Sequence, residues 1–368
     1  MEHKNQTRQD IENPETKSNQ YSIEYLKIIA PRLFFFSVLV FAIVLIFFYA
    51  CEKDEEIINE EYPYGTIVLL KEGGQSPLWS PDGERIAYLD DWEKLYVMNT
   101  DGSDNLLLTS QIAENFKWSP SGLELAYHSY RAGPLAIYKI GVDGNNEVKL
   151  TGAGLSIMSS GFSWSPDGEK IAYSVDGFEK ADLYIMNNDG SGNHKVDIPI
   201  SVSFPLFTQS GSRIMFSSLV DGNTKRALFL VGTDGSNFQR LEIPDVIDVR
   251  NAVMKGDESK IYFSGIKTGS NWDIYEVNSD GSNLKNLTNG VGNNKEPHIS
   301  PDGKYIAFLS YRNENDGVWI MHADGSKPSR ISKGAYMHFP CSWSPDSRKL
   351  VFDDEVDGAQ GIYVLTLK

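Results

Sequence analysis

Short apolar stretches recur along the chain with nearly the same polar sequence between them. A complete example is WSPDGERIAYLDDWEKLYVMNT, Trp79 to Thr100, and related segments begin at Ser163, His298 and Ser342. Each apolar stretch has the length of a strand and is too short for a helix. Turn-forming residues (Pro, Asp, Gly, Ser and Asn) separate the stretches. The pattern therefore predicts β-strands joined by tight turns.

Aligned on the residue that ends its first strand, the pattern gives seven units that repeat every 39 to 47 residues. Each unit contains a short strand, an S-P-D-G turn, a second strand, a variable loop, a third strand, a D-G-S turn and a fourth strand. This period is typical of four-stranded propeller blades, and strands that are apolar on both faces favour sheets stacked around an axis. The units are aligned at Trp79, Trp118, Trp164, Phe207, Met254, Ile299 and Trp343.

The seventh unit has only three strands before Lys368. Its fourth strand is expected at the other end of the domain, where TIVLLKEG (Thr66 to Gly73) resembles the LLLT and NLT strands. We therefore predict an all-β, seven-bladed β-propeller over residues 64–368, closed by the N-terminal strand, which removes exposed sheet edges. Units four and five lack the Pro of the first turn, and we expect the same bend there.

The unit W-S-P-D-G-x-x-I-A-Y, followed by x-x-I-Y-x-M-N-x-D-G-S, resembles the TolB-type, WD-like propeller repeat over residues 64–368. The resemblance implies a propeller of the bacterial cell envelope. TolB itself carries an α/β domain before its propeller, whereas a short acidic linker (51–63) stands before the first strand here. The role of TolB in the Tol-Pal machinery is therefore not carried over, because propellers support many unrelated functions.

An uncharged apolar run of 18 residues occupies positions 33–50 and is long enough for a membrane segment. Polar residues 1–32, with Lys27 and Arg32, precede it and are expected to be a disordered cytoplasmic segment or the n-region of a signal. FYAC, which ends at Cys51, resembles the lipobox of lipoproteins, so Cys51 is a predicted lipidation site. An uncleaved signal anchor is the alternative. Both place the propeller outside the cytoplasm, in the periplasm or at the cell surface.

The charge and motif content narrow the function classes. The net charge of −16 argues against nucleic acid as a partner, and two cysteines are too few for a disulfide framework. The chain lacks G-x-S-x-G and H-E-x-x-H, so no catalytic residue, metal or cofactor is predicted. Oligogalacturonate lyases resemble this repeat class and use clustered histidines around a metal, which makes His128, His298 and His338 the candidates for an enzymatic alternative.

One face of the propeller carries the predicted binding site. The loops between second and third strands and those leading into each first strand emerge together around the central funnel. They combine arginines with aromatic residues, a composition typical of recognition surfaces. For Arg131 and Arg312, bracing of the blades is the alternative. The candidate binding residues are Trp92, Tyr130, Arg131, Arg226, Arg250, Trp272, His298, Tyr311, Arg312, Tyr336 and His338.

The sequence thus favours a membrane-tethered, extracytoplasmic propeller that acts as a protein- or glycan-binding or scaffolding module of the bacterial envelope. The expected partner is an envelope protein or an acidic glycan. One alternative is a polysaccharide lyase or hydrolase with its site in the funnel. Another is an accessory subunit of an uptake or secretion complex, which would make its contacts through the flat faces of the propeller.

Overall fold

The computed structural model describes residues 60–91, 93–111, 113–152, 157–177, 179–220, 225–312, 316–332, 341–356 and 359–368. The predictions for the segments before residue 60, including the membrane segment and Cys51, lie outside the described residues. Within the described ranges, no helix has the length and apolar character needed to cross a membrane.

The described elements are β-strands that form seven antiparallel sheets, arranged as the blades of a propeller. The chain begins with β1 (Glu60–Tyr62) and β2 (Gly65–Glu72). Blade 1 contains β3 (Gln75–Trp79), β4 (Arg85–Asp90), β5 (Lys94–Asn99) and β6 (Leu106–Thr109), and blade 2 contains β7 (Glu114–Trp118), β8 (Glu124–Ser129), β9 (Ala136–Gly141) and β10 (Val148–Lys149). Blade 3 contains β11 (Ile157–Trp164), β12 (Lys170–Asp176), β13 (Ala181–Asn187) and β14 (His194–Val196), and blade 4 contains β15 (Ser203–Phe207), β16 (Arg213–Val220), β17 (Lys225–Gly232) and β18 (Gln239–Arg240). Blade 5 contains β19 (Val246–Met254), β20 (Lys260–Lys267), β21 (Trp272–Asn278) and β22 (Lys285–Asn286), and blade 6 contains β23 (Asn293–Ile299), β24 (Tyr305–Tyr311), β25 (Gly317–His322) and β26 (Ser329–Arg330). The predicted all-β propeller of seven blades is confirmed.

Blade 7 closes the ring as the sequence predicts. It contains β27 (Ser342–Trp343), β28 (Lys349–Val356) and β29 (Ala359–Leu367), and β2 pairs antiparallel with β29 as the fourth strand. The register places Thr66 opposite Thr366. A short outer strand, β1, pairs with β2 and extends the blade to five strands. The two ends of the domain are therefore joined by a backbone ladder.

The core lies between the blades and repeats with them. In every blade the fourth residue of the second strand is a large ring that is at most 1% exposed. These residues are Tyr88, Tyr127, Tyr173, Phe216, Phe263, Phe308 and Phe352. Flat sheets with apolar faces can bury such rings only against a neighbouring sheet. The repeated ring therefore fixes the stacking of blades around the axis.

The repeated tryptophans link neighbouring blades. The indole N–H of Trp118 donates to the carbonyl oxygen of Leu78 in blade 1 at 3.1 Å. The indole of Trp343 makes the same bond to His298 of blade 6 at 2.9 Å. Most buried indole N–H groups have such a partner, whereas the indole nitrogen of Trp79 is buried without one. In blades 2 and 7, the tryptophan at the end of the first strand thus combines apolar burial with a directional bond between blades.

Local hydrogen bonds explain the S-P-D-G turn. In blade 1 the carboxylate of Asp82 accepts from the backbone N–H of Glu84 at 3.0 Å, and the hydroxyl oxygen of Ser80 accepts from the N–H of Arg85 at 2.9 Å. Units four and five keep this bend without the Pro, as expected. In unit five Glu258 takes a left-handed conformation (φ 56°), which Gly83 takes in unit one (φ 80°).

Candidate functional site

A bulge interrupts the inner strand of each of blades 1 to 6. At each bulge, the residue three positions before the end of the strand has a left-handed backbone, with φ between 48° and 93°. We call these equivalent residues the bulge ring: Ser76, Asn115, Gly161, Phe204, Asn251 and Glu296. Bulges re-aim side chains and are over-represented beside functional sites. The bulge ring therefore marks the upper part of the central channel.

Three members of the bulge ring, Ser76, Phe204 and Glu296, are neither Gly nor Asn. Gly and Asn adopt it readily, whereas a residue such as Phe204 (φ 56°) pays about 1–2 kcal/mol. The ring of Phe204 is also 58% exposed, so burial offsets little of this cost. Glu296 has φ 55°. Strain of this kind is concentrated at ligand sites, where the surrounding structure maintains it.

A cavity of about 410 Å³ opens at the mouth of the channel, between blades 4, 5 and 6. Three of the predicted binding residues meet there, and they are joined by a lysine and by Phe204 of the bulge ring. We call these five residues the mouth cluster: Phe204, Arg226, Arg250, Trp272 and Lys295. Ser217, Asn251 and Glu296 complete the lining. Three cations and one carboxylate thus face a common space on a protein whose net charge is −16.

Asp248 holds both arginines of the mouth cluster. Its Oδ1 accepts from the backbone N–H of Arg226 at 2.9 Å, and its Oδ2 lies 3.1 Å from Nη2 of Arg250. Burial, and then the charge of Arg250, lower the pKa of Arg226, while Asp248 opposes this shift. The carboxylate pairs with the guanidinium of Arg250 and bonds the backbone of Arg226, so positive charge remains for an incoming anion. Half of the Arg250 side chain is exposed (54%) and can reach a ligand.

Aromatic rings flank the two guanidinium groups. The Arg250 Cζ lies 5.0 Å from the centre of the Trp272 ring, and the Arg226 Cζ lies 5.8 Å from that of Phe204. Cations at these distances from a ring are attracted to its face. Rings beside charged donors are the usual composition of binding hot spots. The mouth cluster can therefore supply both charge and apolar contact to one ligand.

Glu296 is the carboxylate on this lining. Burial raises its pKa, and the neighbouring Lys295 partly counteracts this. Its backbone N–H donates to the hydroxyl of Ser264 in blade 5 at 2.8 Å, which fixes the bulge. The mouth cavity therefore faces one carboxylate and three cations. The electrostatic character of the mouth is therefore set by its cations.

The channel itself forms a second cavity of about 270 Å³. It shares Phe204, Ser217, Asn251 and Glu296 with the mouth cavity, so the two are continuous. Its polar lining includes Lys117 and His298. Burial lowers the pKa of Lys117, and burial together with the charge of Lys117 lowers the pKa of His298 to about 4. His298 is therefore neutral at neutral pH.

Other predicted binding residues lie within their own blades. Arg131 pairs with Glu147 at 2.6 Å and stacks on Tyr138 with its Cζ 3.9 Å from the ring centre. Arg312 donates to Ser310 at 2.6 Å and stacks on Trp319 at 4.0 Å. The alternative interpretation expects bonds to carboxylates of a neighbouring blade, whereas these contacts lie within a blade and only that of Arg131 is with a carboxylate. Neither arginine lines the mouth cavity.

The tyrosines Tyr130 and Tyr311 stay exposed, by 47% and 39%. His128 is buried against Phe162, with ring centres 5.0 Å apart, and burial lowers its pKa to about 4. In the described ranges no group of three or more His, Cys, Asp or Glu side chains is placed to hold a metal ion. Trp92, Tyr336 and His338 lie outside the described residues.

Sequence reasoning missed Phe204, Lys295 and Asp248. A signal for the first was present, because Phe204 occupies the same position before a strand end as Ser76, Asn115 and Asn251. Asn at that position favours a left-handed residue and hence a bulge. No comparable signal exists for Lys295 or Asp248, since their roles depend on the contact between blades.

Comparisons with known proteins add to this geometry. The family PD40, described as the TolB beta propeller domain, matches residues 253–368. Residues 253–368 are thus similar to the TolB-type β-propeller. The predicted resemblance is confirmed by this match and by relatives of the same name. A TolB homolog of Chlorobaculum tepidum is 33% identical over 108 residues, which are 29% of this chain and 24% of that protein.

The TolB-type match is partial in length. The Tol-Pal system protein TolB of Desulfosudis oleivorans is 33% identical over 30% of this chain and 24% of its own length. The chain thus spans about a quarter of the curated relatives it matches. Among solved structures, an oligogalacturonate lyase in complex with manganese has a TM-score of 0.68 at 14% identity and covers 84% of this chain and 95% of its own. TolB from Acinetobacter baumannii has a TM-score of 0.51 at 19% identity and covers 70% and 62%. These likenesses show the fold alone.

Proposed function

We propose that this TolB-type propeller is a binding module of the bacterial envelope that recognises an anionic partner through the mouth cluster. The observation that carries the proposal is the convergence of Arg226, Arg250 and Lys295 with two aromatic rings on one cavity of about 410 Å³. On an acidic protein this is a local site for negative charge. The partner is an envelope protein or an acidic glycan. The TolB relatives support an envelope setting.

The mouth cluster is suited to binding by its construction. Asp248 orients Arg250 before any ligand arrives, which lowers the entropy that binding must overcome. The aromatic rings add apolar area around the charged donors. The left-handed backbone at Phe204 keeps one ring exposed at the rim. The combination favours selective capture of a carboxylate-bearing chain over nonspecific adhesion.

The full-length chain, purified in detergent, can capture partners from envelope extract of the source cells. The test variant is Arg226→Ala with Arg250→Ala. The matched control is Lys304→Ala with Arg348→Ala, which removes two cations from turns at the opposite face. We expect a defined protein or uronic-acid-containing glycan to be retained by the native chain and the control, and lost by the test variant. Equal capture by all three chains would reject the mouth cluster as the site.

The membrane tether is a separate part of the proposal. The apolar run 33–50 followed by Cys51 supports attachment to the outer side of a membrane, by a lipid on Cys51 or by an uncleaved anchor. Metabolic labelling with a palmitate analogue distinguishes the two. Label on the native chain that is lost in Cys51→Ala supports lipidation. An unlabelled chain that still sediments with membranes supports the anchor, and a chain in the soluble fraction contradicts both.

A lyase or hydrolase in the funnel is the enzymatic alternative, and the likeness of the fold to an oligogalacturonate lyase favours it. Incubation of the full-length chain with oligogalacturonates and manganese tests it directly. An unsaturated product, detected by its absorbance and formed faster than by the Arg226→Ala, Arg250→Ala variant, would support an enzymatic function. Unchanged substrate would leave the binding module as the function.

A further inference from the structure

Lys117 is a cation at the end of the channel that no described carboxylate balances. Its side chain lines the channel cavity, and within the described ranges no ion pair or hydrogen bond reaches its Nζ. Burial alone lowers the pKa of Lys117. The adjacent His298 brings no negative charge, because burial and Lys117 itself lower its pKa. Glu296 is the carboxylate on the described lining, and within the described ranges no ion pair joins it to this ammonium group.

The position of Lys117 makes it the last group that a ligand entering from the mouth would meet. Asn115 belongs to the bulge ring, and Lys117 follows it two residues further down β7. His298 stands in the same relation to Glu296 on β23. Two strand residues correspond to about 7 Å. Lys117 thus lies about 7 Å along the strand from the level at which the mouth and channel cavities meet.

The wall between these two levels is mostly apolar. Phe162, Leu206, Val253 and Pro297 line it, with the amides of Asn115 and Asn251 near the upper end. A sugar placed here would bury hydroxyl groups against hydrocarbon, which is costly without partners. A short extended peptide with an apolar last residue fits better, since the two asparagines can bond its backbone and the wall can contact its side chain.

We propose that the propeller binds the free carboxyl terminus of a partner protein, which enters through the mouth cluster and places its terminal carboxylate against Nζ of Lys117. The inference rests on the proposed function of the mouth cluster and specifies its ligand. A terminal carboxylate supplies the ion-pair partner that Lys117 lacks among the described residues, and breaking such a pair would leave a desolvated charge uncompensated. Arg226 and Arg250 would contact acidic or carbonyl groups further back along the same peptide.

Two pools of hexapeptides, labelled with fluorescein at the N-terminus, test the proposal by fluorescence polarisation with the full-length chain in detergent. Both pools end in Ala, Val, Leu or Phe. One has a free carboxyl terminus and the other is amidated. We expect at least tenfold tighter binding of the free pool. Lys117→Met should remove this preference and leave the weak binding of the amidated pool unchanged, whereas the control Lys304→Met should keep it.

The outcomes separate this inference from the proposed function. Equal affinity for both pools, or an unchanged preference in Lys117→Met, overturns the role of Lys117 and leaves the mouth cluster to the capture experiment. Binding of neither pool also overturns the inference. A melting curve guards against a misfolded variant: Lys117→Met should unfold at a higher temperature than the native chain, because desolvation disfavours the charged ammonium group in the folded state. A lower melting temperature would contradict that premise.

Discussion

The carboxylate of Asp248 lies 3.1 Å from the guanidinium of Arg250, with only 9% of the aspartate side chain exposed. The other oxygen of the same carboxylate accepts the backbone N–H of Arg226. A single acid on β19 therefore joins blades 4 and 5 and orients two donors of the mouth cluster. Recognition and stability are coupled at this residue.

Asp248→Ala should destabilise the fold by about 2 kcal/mol, because a buried N–H loses a charged acceptor. Urea denaturation measures the change. Glu242→Ala is the matched control, since its side chain is 80% exposed and its ion pair with Arg240 spans 3.8 Å. Exposed pairs of this kind contribute little. Equal stability of the two variants would contradict the assigned role of Asp248.

Phe204→Gly should be more stable than Phe204→Ala by about 1 kcal/mol, because Gly adopts the left-handed conformation without the steric cost of a Cβ. The ring is mostly exposed, so both variants lose little burial. At Leu219 of β16, a regular strand position that is 38% exposed, the order should reverse. Thermal melting of the four variants decides this, and a higher melting temperature for Phe204→Ala than for Phe204→Gly would show that position 204 is unstrained.

Asp353 should make the propeller less stable as the pH rises. Burial raises its pKa to about 8, above the ordinary value near 3.9, so the folded protein binds this proton more tightly than the unfolded chain does. Its contribution is fully present below about pH 4 and is lost as the pH rises towards 8. The free energy of unfolding of Asp353→Asn, relative to that of the native chain, should therefore be higher at pH 8 than at pH 5. Urea denaturation at the two pH values measures this difference.

A carboxylate with the opposite shift provides the control for Asp353. The side-chain bond to Lys94 holds the pKa of Asp91 below its ordinary value, so Asp91 stays ionised across pH 5 to 8. Asp91→Asn should leave the pH slope over this range unchanged. A slope that is the same in the native chain and in Asp353→Asn would mean that Asp353 is ionised in the folded state at neutral pH.

Ile67→Pro should destabilise the propeller by about 3 kcal/mol or more, because proline cannot donate in a sheet with strands on both sides. Ile67 pairs with Glu60 of β1 and with Leu365 of β29, so its N–H lies within the closing blade. Ile67→Val separates the backbone effect from side-chain loss and should cost about 1 kcal/mol. Similar midpoints for both variants in urea would argue against closure by β2.

The fold could be predicted in detail because its determinants repeat. Trp79, Trp118 and Trp164 recur with the same turn after each of them, and the structure explains both features by bonds that are local or reach only the next blade. The closing strand at Thr66 was visible as the missing part of an incomplete last unit. Each unit contains its own turn and strands, so the strands of one blade can be predicted without those of the others.

The candidate site could be predicted only in part. Arg226, Arg250 and Trp272 were accessible to sequence reasoning because loop position alone brings them to one face. Lys295 and Phe204 were not, since the bulges that turn them towards the mouth depend on pairing register. Sequence reasoning also could not distinguish Arg131 from Arg226, because both follow a second strand. Arg131 is held within its blade by Glu147, which lies in a turn whose contacts the sequence does not reveal.

Photo-cross-linking in the source cells tests the central claim most directly. A benzoylphenylalanine is placed at Phe204, in the mouth cluster, or at Leu123, a comparably exposed residue (63%) in a turn at the opposite face. The account predicts a discrete adduct from position 204 that disappears when Arg226→Ala and Arg250→Ala are added, and none from position 123. Adducts from position 123 alone, or from 204 regardless of the arginines, would contradict a binding site at the mouth of the channel.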